Sequence, residues 1–183
     1  MTSSPDLSHV DTWVFDLDNT LYPASANLFP QIDLRMKTFI AELLGVGLDE
    51  AFKIQKAYYH EHGTTLRGLM INHTLDPDAF LEYVHDIDHT VLTPDPALRQ
   101  VIESLPGRKL IHTNGSERHA DGVLEALGLQ DCFEAIFDIR AGNYIPKPDP
   151  NSYARFLASH SFEPNSAIMF EDSVKNLKPA ADL

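Results

Sequence analysis

Four short apolar runs constrain the architecture of this chain most. They are Thr12–Phe15 (TWVF), residues 109–112 (KLIH), Ala135–Phe137 (AIF) and Ala167–Phe170 (AIMF). Each has the length of a buried strand, and none alternates as a half-exposed strand would. Helical stretches separate them. Residues 95–105 carry Pro96 near the start, with Gly107 past the end. Ser116 is placed to cap a helix over Glu117–Leu127, whose Ala120, Val123, Leu124 and Leu127 share a face and whose stop is Gly128. Residues 151–160 and Val174–Ala181 complete the set. Strands alternating with helices predict an α/β fold, a Rossmann-like parallel sheet covered on both faces.

Residues 26–89 break this rhythm and hold no convincing strand. Ile32, Met36, Phe39, Ile40, Leu43 and Leu44 follow helical spacing. The run LDEAFKIQKAYYHEH reads as a second helix ended by Gly63. In DPDAFLEYVHDID, Asp76 is the expected N-cap and Pro77 the first helical residue. The expected organisation is a sheet domain from residues 1–22 and 91–183, with an all-helical insertion at 23–90 after the first strand.

In an open parallel sheet, functional groups gather at the carboxyl ends of the strands. Here the first strand leads into Asp16, Asp18, Asn19 and Thr20, and the second into Thr113, Asn114 and Gly115. Lys147 and Pro148 come after the third, and Glu171, Asp172 and Ser173 after the fourth. Asp16 and Asp18 stand two apart, so on an extended chain they face one way. With Glu171 and Asp172 near, the negative charge calls for a counter-ion. A hard divalent cation with oxygen ligands supplies it, and magnesium is the usual choice where phosphate shares the coordination. Thr113 and the backbone N–H groups after it can donate to phosphate oxygens at a helix start.

The net charge of −13 disfavours nucleic acid and anionic membranes as partners, because both require basic patches. An anionic substrate must instead meet a local cation, a lysine or a helix N-terminus. Cys132 is the lone cysteine, so no internal disulfide is available, and the polar N-terminus lacks the regions of a signal peptide. Both point to a cytoplasmic protein.

The motifs DLDNT at 16–20, TNG at 113–115, KP at 147–148 and ED at 171–172 resemble, in order and in strand context, those of the haloacid dehalogenase-like superfamily. The resemblance spans nearly the whole chain. It implies a magnesium-dependent phosphomonoester hydrolase. Asp16 would be the nucleophile that forms an aspartyl phosphate, and Asp18 the general acid and base. Magnesium would sit on Asp16, the backbone carbonyl of Asp18 and Asp172, with Glu171 beside it. Thr113 and Lys147 would hold the phosphoryl group, and Asn19 and Asn114 would contribute to binding it. The helical insertion corresponds to the family's cap. Members that break carbon–halogen bonds lack the second aspartate, so Asp18 favours phosphoryl transfer. The family core carries a further strand and helix after the fourth motif, so in this span the last strand is expected at an edge.

DLDNTLYP, YYHEHGTTLRGLMINH and LTPDPALRQVIESLPGRKLIHTNG are similar to the pyrimidine 5′-nucleotidase branch. This implies a nucleoside monophosphate such as UMP or CMP as the small phosphorylated partner. The same motifs also suit a sugar-phosphate phosphatase or a phosphomutase, which differ in whether the phosphoryl group passes to water or back to a sugar. A catalytically silent binding module is a third reading, against which the intact acidic set speaks. Choice of leaving group must come from the cap. The segment 63–73, with Gly63, Gly68, Thr64, Thr65, Asn72 and above all Arg67, is the expected source, with pairing to a cap carboxylate the equal alternative for Arg67. His85 and His89 stand four apart, a spacing that binds zinc on a helix, but Asp86 and Asp88 beside them suggest a solvated face.

Overall fold

Every residue of TWVF is buried, and a strand that hides both faces and both edges belongs at the centre of a sheet. The computed structural model, which describes residues 6–183, places it there. Residues 1–5, the start of the polar N-terminal stretch and of the predicted 1–22 segment, lie outside the described residues. Strand β1 (Thr12–Phe15) pairs in parallel with β2 (Arg108–His112) on one edge and with β4 (Ala167–Phe170) on the other. Strand β3 (Ala135–Phe137) pairs with β2, giving the order β3-β2-β1-β4. The strand order reverses at β1, so the crevice at its carboxyl end is where this class of sheet binds ligands. Strand β4 lies at an edge among the described residues, and Phe170 is 40% exposed.

Eight helices accompany the sheet among the described residues. Four follow β1: α1 (Phe29–Leu44), α2 (Leu48–His62), α3 (Thr65–Asn72) and α4 (Pro77–Val84). The others are α5 (Pro96–Ser104), α6 (Glu117–Leu127), α7 (Pro150–His160) and α8 (Val174–Ala181). The predicted caps form. Asp76 accepts from the Asp78 amide, Ser116 accepts from the His119 amide, and Gly128 ends α6 in the left-handed region.

Side-chain alternation along β1 sorts the core. Trp13 and Phe15 pack with Ile111 against Ile102, Val123, Leu124 and Leu127 of α5 and α6. Val14 faces the other way and joins Leu110, Phe137 and Phe156. The inserted helices carry their own cluster, with Ile40, Leu69, Phe80 and Val84 almost wholly buried, and Ile139 of the sheet domain packs into it. Arg140 and Tyr144 reach across to Asp78 on α4, at 2.6 and 2.8 Å, and tie cap to core.

Two local expectations change. Most of the segment 63–73 is helix α3, and its Gly68 serves packing. A Cβ there would lie 2.3 Å from the Tyr58 Cβ, so glycine is what allows α2 and α3 to approach. His85 and His89 do not share a helical face either, because α4 ends at Val84. Asp86 and Asp88 are exposed as expected, but the two imidazoles turn inward. His85 stacks on His119 with ring centroids 4.5 Å apart and meets the Ser116 hydroxyl through Nδ1 at 2.9 Å. His89 lies over Gly122, where a Cβ would fall 2.8 Å from the ring.

A further imidazole, His112, is 1% exposed under the sheet, stacked on Phe156 and paired through Nε2 with the Ser152 hydroxyl at 3.0 Å. Burial, aided by the Lys147 charge, holds it neutral with a pKa well below the usual imidazole range. In the unfolded chain it would take a proton near its ordinary pKa of about 6.5, so below that pH the unfolded state binds more protons. Stability should therefore be flat above neutrality and fall with acid, by about 1.4 kcal/mol per pH unit for each such group. His85, lowered to about 3 chiefly by burial, acts in the same direction. Denaturant titrations between pH 7 and 5 should show this fall, and His112→Phe should reduce its slope by about one proton. Equal slopes in the two proteins would contradict this account.

Candidate active site

The apolar run that makes β1 a central strand also delivers Asp16 to the crevice, still 7% exposed. Its two oxygens are already engaged. Oδ1 accepts from Lys147 Nζ at 2.8 Å and Oδ2 from the Thr20 hydroxyl at 2.9 Å. Thr20 Oγ1 in turn accepts from the Asp172 amide at 3.2 Å, which joins the first motif to the fourth. Asn19, between the two, has a φ of 62°, in the left-handed region that asparagine tolerates in turns. The chain thus leaves the extended course immediately after Asp18.

Lys147 is 1% exposed and lies beneath the acids, not on the surface. Its ammonium has three protons and three acceptors: Asp16 Oδ1 at 2.8 Å, Glu171 Oε2 at 2.7 Å and the His112 carbonyl at 2.7 Å. Lys147 is therefore saturated by protein oxygens and is not among the residues lining the cleft. Asn114 holds its backbone from both sides, donating through Nδ2 to the Lys147 carbonyl at 3.0 Å and accepting the Lys147 amide on Oδ1 at 2.8 Å. The Asn114 side chain is thus committed to the loop. Thr113 is 2% exposed, and its hydroxyl accepts from the Gly115 amide at 2.9 Å.

Asp18 is held differently. Tyr22 donates to its Oδ1 at 2.5 Å and His119 Nε2 lies 2.8 Å from the same oxygen. The electrostatics of the two aspartates diverge accordingly. Burial raises Asp16 above the ordinary carboxylate range, with Lys147 opposing and Glu171 adding to the rise. Burial also pushes Asp18 upward, but the His119 imidazole, by its field and hydrogen bond, and Tyr22 more than reverse it, to about 2. Burial and the Asp18 charge push the Tyr22 phenol far above its ordinary value, so it remains a donor.

A carboxylate oxygen from each of Asp16, Glu171 and Asp172 falls within 4.8 Å of the others. Lys147 pairs with two of these three acids, Asp16 and Glu171. The donor set is all oxygen and carries excess negative charge, which suits a hard divalent cation such as magnesium. The Asp18 side chain lies outside this group, so a contribution from Asp18 rests on its backbone carbonyl.

The acids open onto a cleft of about 310 Å³ between core and cap. Asp16, Asp18, Asn19, Thr113, Asn114 and Gly115 line its floor. The facing wall includes Phe29, Met36, Tyr59, Gln55, Lys56 and Thr64. Arg67 is half-buried and is not among the lining residues, although its neighbours Thr64, Thr65 and Leu66 are. Nor does it form an ion pair among the described residues. Sequence reasoning missed Tyr22, His119, Gln55 and Lys56. His119 left a trace, because it falls on the buried face of the helix that opens after TNG. Gln55 and Lys56 left none, since both meet Asp33 of α1 only once the cap helices pack, at 2.8 and 2.6 Å.

A parallel sheet with a helical insertion after β1, and acids gathered at its switch point, defines a Rossmann-like core with a helical cap. The haloacid dehalogenase-like hydrolases match residues 10–183, and the chain belongs to this family. It is similar to Phosphate metabolism protein 8 of Saccharomyces cerevisiae, 29% identical over an alignment 188 residues long that covers 92% of this chain and 58% of the yeast protein. The chain thus spans little more than half the length of that relative. Among solved structures, a HAD phosphatase from Thermococcus onnurineus shares the fold with a TM-score of 0.59 at 20% identity, covering 94% of this chain and 82% of that one. The HAD-hydrolase YfnB of Bacillus subtilis, bound to magnesium, also gives 0.59, at 16% identity over 94% and 84% of the two chains.

The three-acid cluster predicts that magnesium stabilises the fold by mass action, by about 2.7 kcal/mol at a hundredfold excess over its Kd. Thermal melts with and without magnesium should show the gain. Asp172→Asn should remove most of it, while calcium-free and magnesium-free samples of the two proteins should melt alike. A gain that survives in that variant would place the cation elsewhere.

Proposed function

We propose that the chain is a magnesium-dependent phosphomonoester hydrolase that works through an aspartyl phosphate at Asp16. The observation that carries this reading is the setting of Asp16, a buried carboxylate held between Lys147 and Thr20 at the floor of an open cleft. Hydrogen bonds fix both oxygens, so little reorganisation precedes attack on phosphorus. Burial alone would favour the protonated acid, and Lys147 opposes it by keeping a positive charge at 2.8 Å. A bound magnesium would add positive charge at Asp16, Glu171 and Asp172 and offset the charge of the phosphoryl oxygens. The Thr113 hydroxyl and the Asn114 amide face the same floor and can donate to those oxygens. Asn114 contributes through its backbone N–H, since its side chain is taken by the Lys147 loop.

Asp18 supplies the proton chemistry. In the free protein it is ionised, the form that later takes a proton from the attacking water. A phosphate dianion entering the site raises its pKa, because like charges disfavour the ionised form. The proton gained then goes to the leaving alkoxide. This second aspartate supports phosphoryl transfer within a family whose name also covers dehalogenation.

The substrate we favour is a pyrimidine nucleoside monophosphate. The sequence runs that resemble the pyrimidine 5′-nucleotidase branch support it, and so does the cap wall. Phe29, Met36 and Tyr59 offer an apolar surface, and Gln55, Lys56 and Thr64 offer polar contacts for a leaving group. Leaving-group selection therefore passes from Arg67 to these residues.

Asp16→Asn should reduce hydrolysis of UMP and of 4-nitrophenyl phosphate to background, because an amide does not attack phosphorus. Chelation of divalent cations should do the same reversibly. Unchanged turnover in Asp16→Asn would exclude covalent chemistry at this residue. Hydrolysis of UMP and CMP no faster than that of sugar phosphates would remove the pyrimidine reading and leave the phosphatase.

A further inference from the structure

The two oxygens of Asp18 keep different company. Oδ1 receives both donors, the Tyr22 hydroxyl and His119 Nε2. Oδ2 receives no donor among the described residues. A Cβ built on Gly115 would stand 3.8 Å from Asp18 Oδ2 and 3.3 Å from the Thr113 hydroxyl, so these two oxygens flank the same small volume. An ionised carboxylate only accepts, so the contact at Oδ1 requires the hydrogen of His119 on Nε2.

His119 is itself fixed from every side. It is 0% exposed, and its backbone N–H is capped by Ser116 in the first turn of α6. Its ring stacks on His85 at 4.5 Å, 11° from parallel, and His89 lies 5.8 Å away. The residues around it make room: a Cβ on Gly115 would come within 3.0 Å of the His119 ring. Nδ1 has no hydrogen-bond partner, so the ring is not serving a polar network on that side. Among the described residues, the one hydrogen bond its side chain makes is the one to Asp18.

We propose that His119 is a positioning residue for phosphoryl transfer, which together with Tyr22 pins Asp18 Oδ1 so that Oδ2 alone meets the leaving-group oxygen. The inference rests on the reading of Asp18 as the general acid. In that step the Asp16 carboxylate oxygen forms a bond to phosphorus as the bond from phosphorus to the leaving oxygen breaks. The proton on Asp18 Oδ2 passes to that oxygen, which departs as an alcohol. Without the His119 contact the Asp18 side chain can rotate, and the proton is no longer held on the line of departure.

The stack extends the argument to the cap. His85 and His89 come from the segment that leads out of α4, whereas His119 and Ser116 belong to the core. The ring that orients Asp18 is therefore seated against the cap's exit segment, and placement of the acid depends on that seating.

Leaving groups of different acidity test the proposal. An alkyl phosphate such as UMP needs a proton on its leaving oxygen, and 4-nitrophenyl phosphate needs almost none. The value of kcat/KM reports steps through leaving-group departure, so the later attack of water does not enter. Two variants separate hydrogen bonding from packing. His119→Phe keeps an aromatic ring against His85 but removes the donor. His119→Gln removes the ring but keeps an N–H that reaches Asp18. Since general acids are worth about 10²- to 10⁴-fold, His119→Phe should lower kcat/KM for UMP by about 30-fold or more and for 4-nitrophenyl phosphate by about threefold or less. His119→Gln should recover most of the loss on UMP, and Tyr22→Phe should show the same leaving-group dependence as His119→Phe. Equal losses on the two substrates in His119→Phe, or a greater loss in His119→Gln, would overturn the proposal and make His119 a packing residue. Asp18→Asn is the control. If it loses both substrates equally, the general-acid reading of Asp18 fails, and the His119 proposal falls with it. If Asp18→Asn discriminates and His119→Phe does not, only the His119 proposal fails.

Discussion

The ammonium of Lys147 is the point on which the site depends. It is the cation buried under Asp16 and Glu171, and it spends its third proton on the His112 carbonyl at the end of β2. Removing one partner from such a buried group would leave an uncompensated charge, at a cost of about 3–5 kcal/mol. That cost explains why the surrounding loop is so fully tied down. Asn114 clamps the Lys147 backbone with two hydrogen bonds, so the second motif positions the third. Thr20 links Asp16 to the Asp172 amide, so the first motif positions the fourth. Four separated stretches of chain thereby act as one unit at the strand ends.

The overall charge of −13 makes this local arrangement more demanding. An anionic substrate approaches a protein whose mean field repels it. Within the crevice the balance is altered by Lys147, buried under Asp16 and Glu171, with the three-acid cluster placed to take up a cation. The cost of gathering carboxylates is thus linked to the proposed function, in which the excess charge would be offset by a divalent ion.

Cap and core are joined by polar contacts, by a stack of rings and by Ile139, which packs into the apolar cluster of the cap. Arg140 and Tyr144 hold Asp78, while His85 and His89 seat on α6 beside His119. Glycines at 115 and 122 admit these rings, and Gly68 performs the same service between α2 and α3. Substitution of any of the three by alanine would bring a Cβ within 3.0 Å of its neighbour.

The sequence by itself determined the sheet. Apolar runs without alternation identified all four strands to within a residue, because a strand covered on both faces has no other composition open to it. It also determined which residues meet at the strand ends, since in a parallel sheet every strand delivers its carboxyl end to the same side. Helix caps at Asp76, Ser116 and Gly128 were legible for the same reason: they are local. The tertiary structure decided what depends on distant packing. That Lys147 is saturated beneath the acids follows from how the strand ends of the sheet come together; that Gln55 and Lys56 line the cleft while Arg67 does not, and that His85 and His89 turn inward, follow from how the cap helices rest on one another and on α6. Asp86 and Asp88 do face solvent, but α4 stops at Val84, and the chain beyond it no longer keeps helical spacing. The divided roles of the two oxygens of Asp18 belong to this second kind. Periodicity reports which face of an element is buried, and only packing decides which atom meets which.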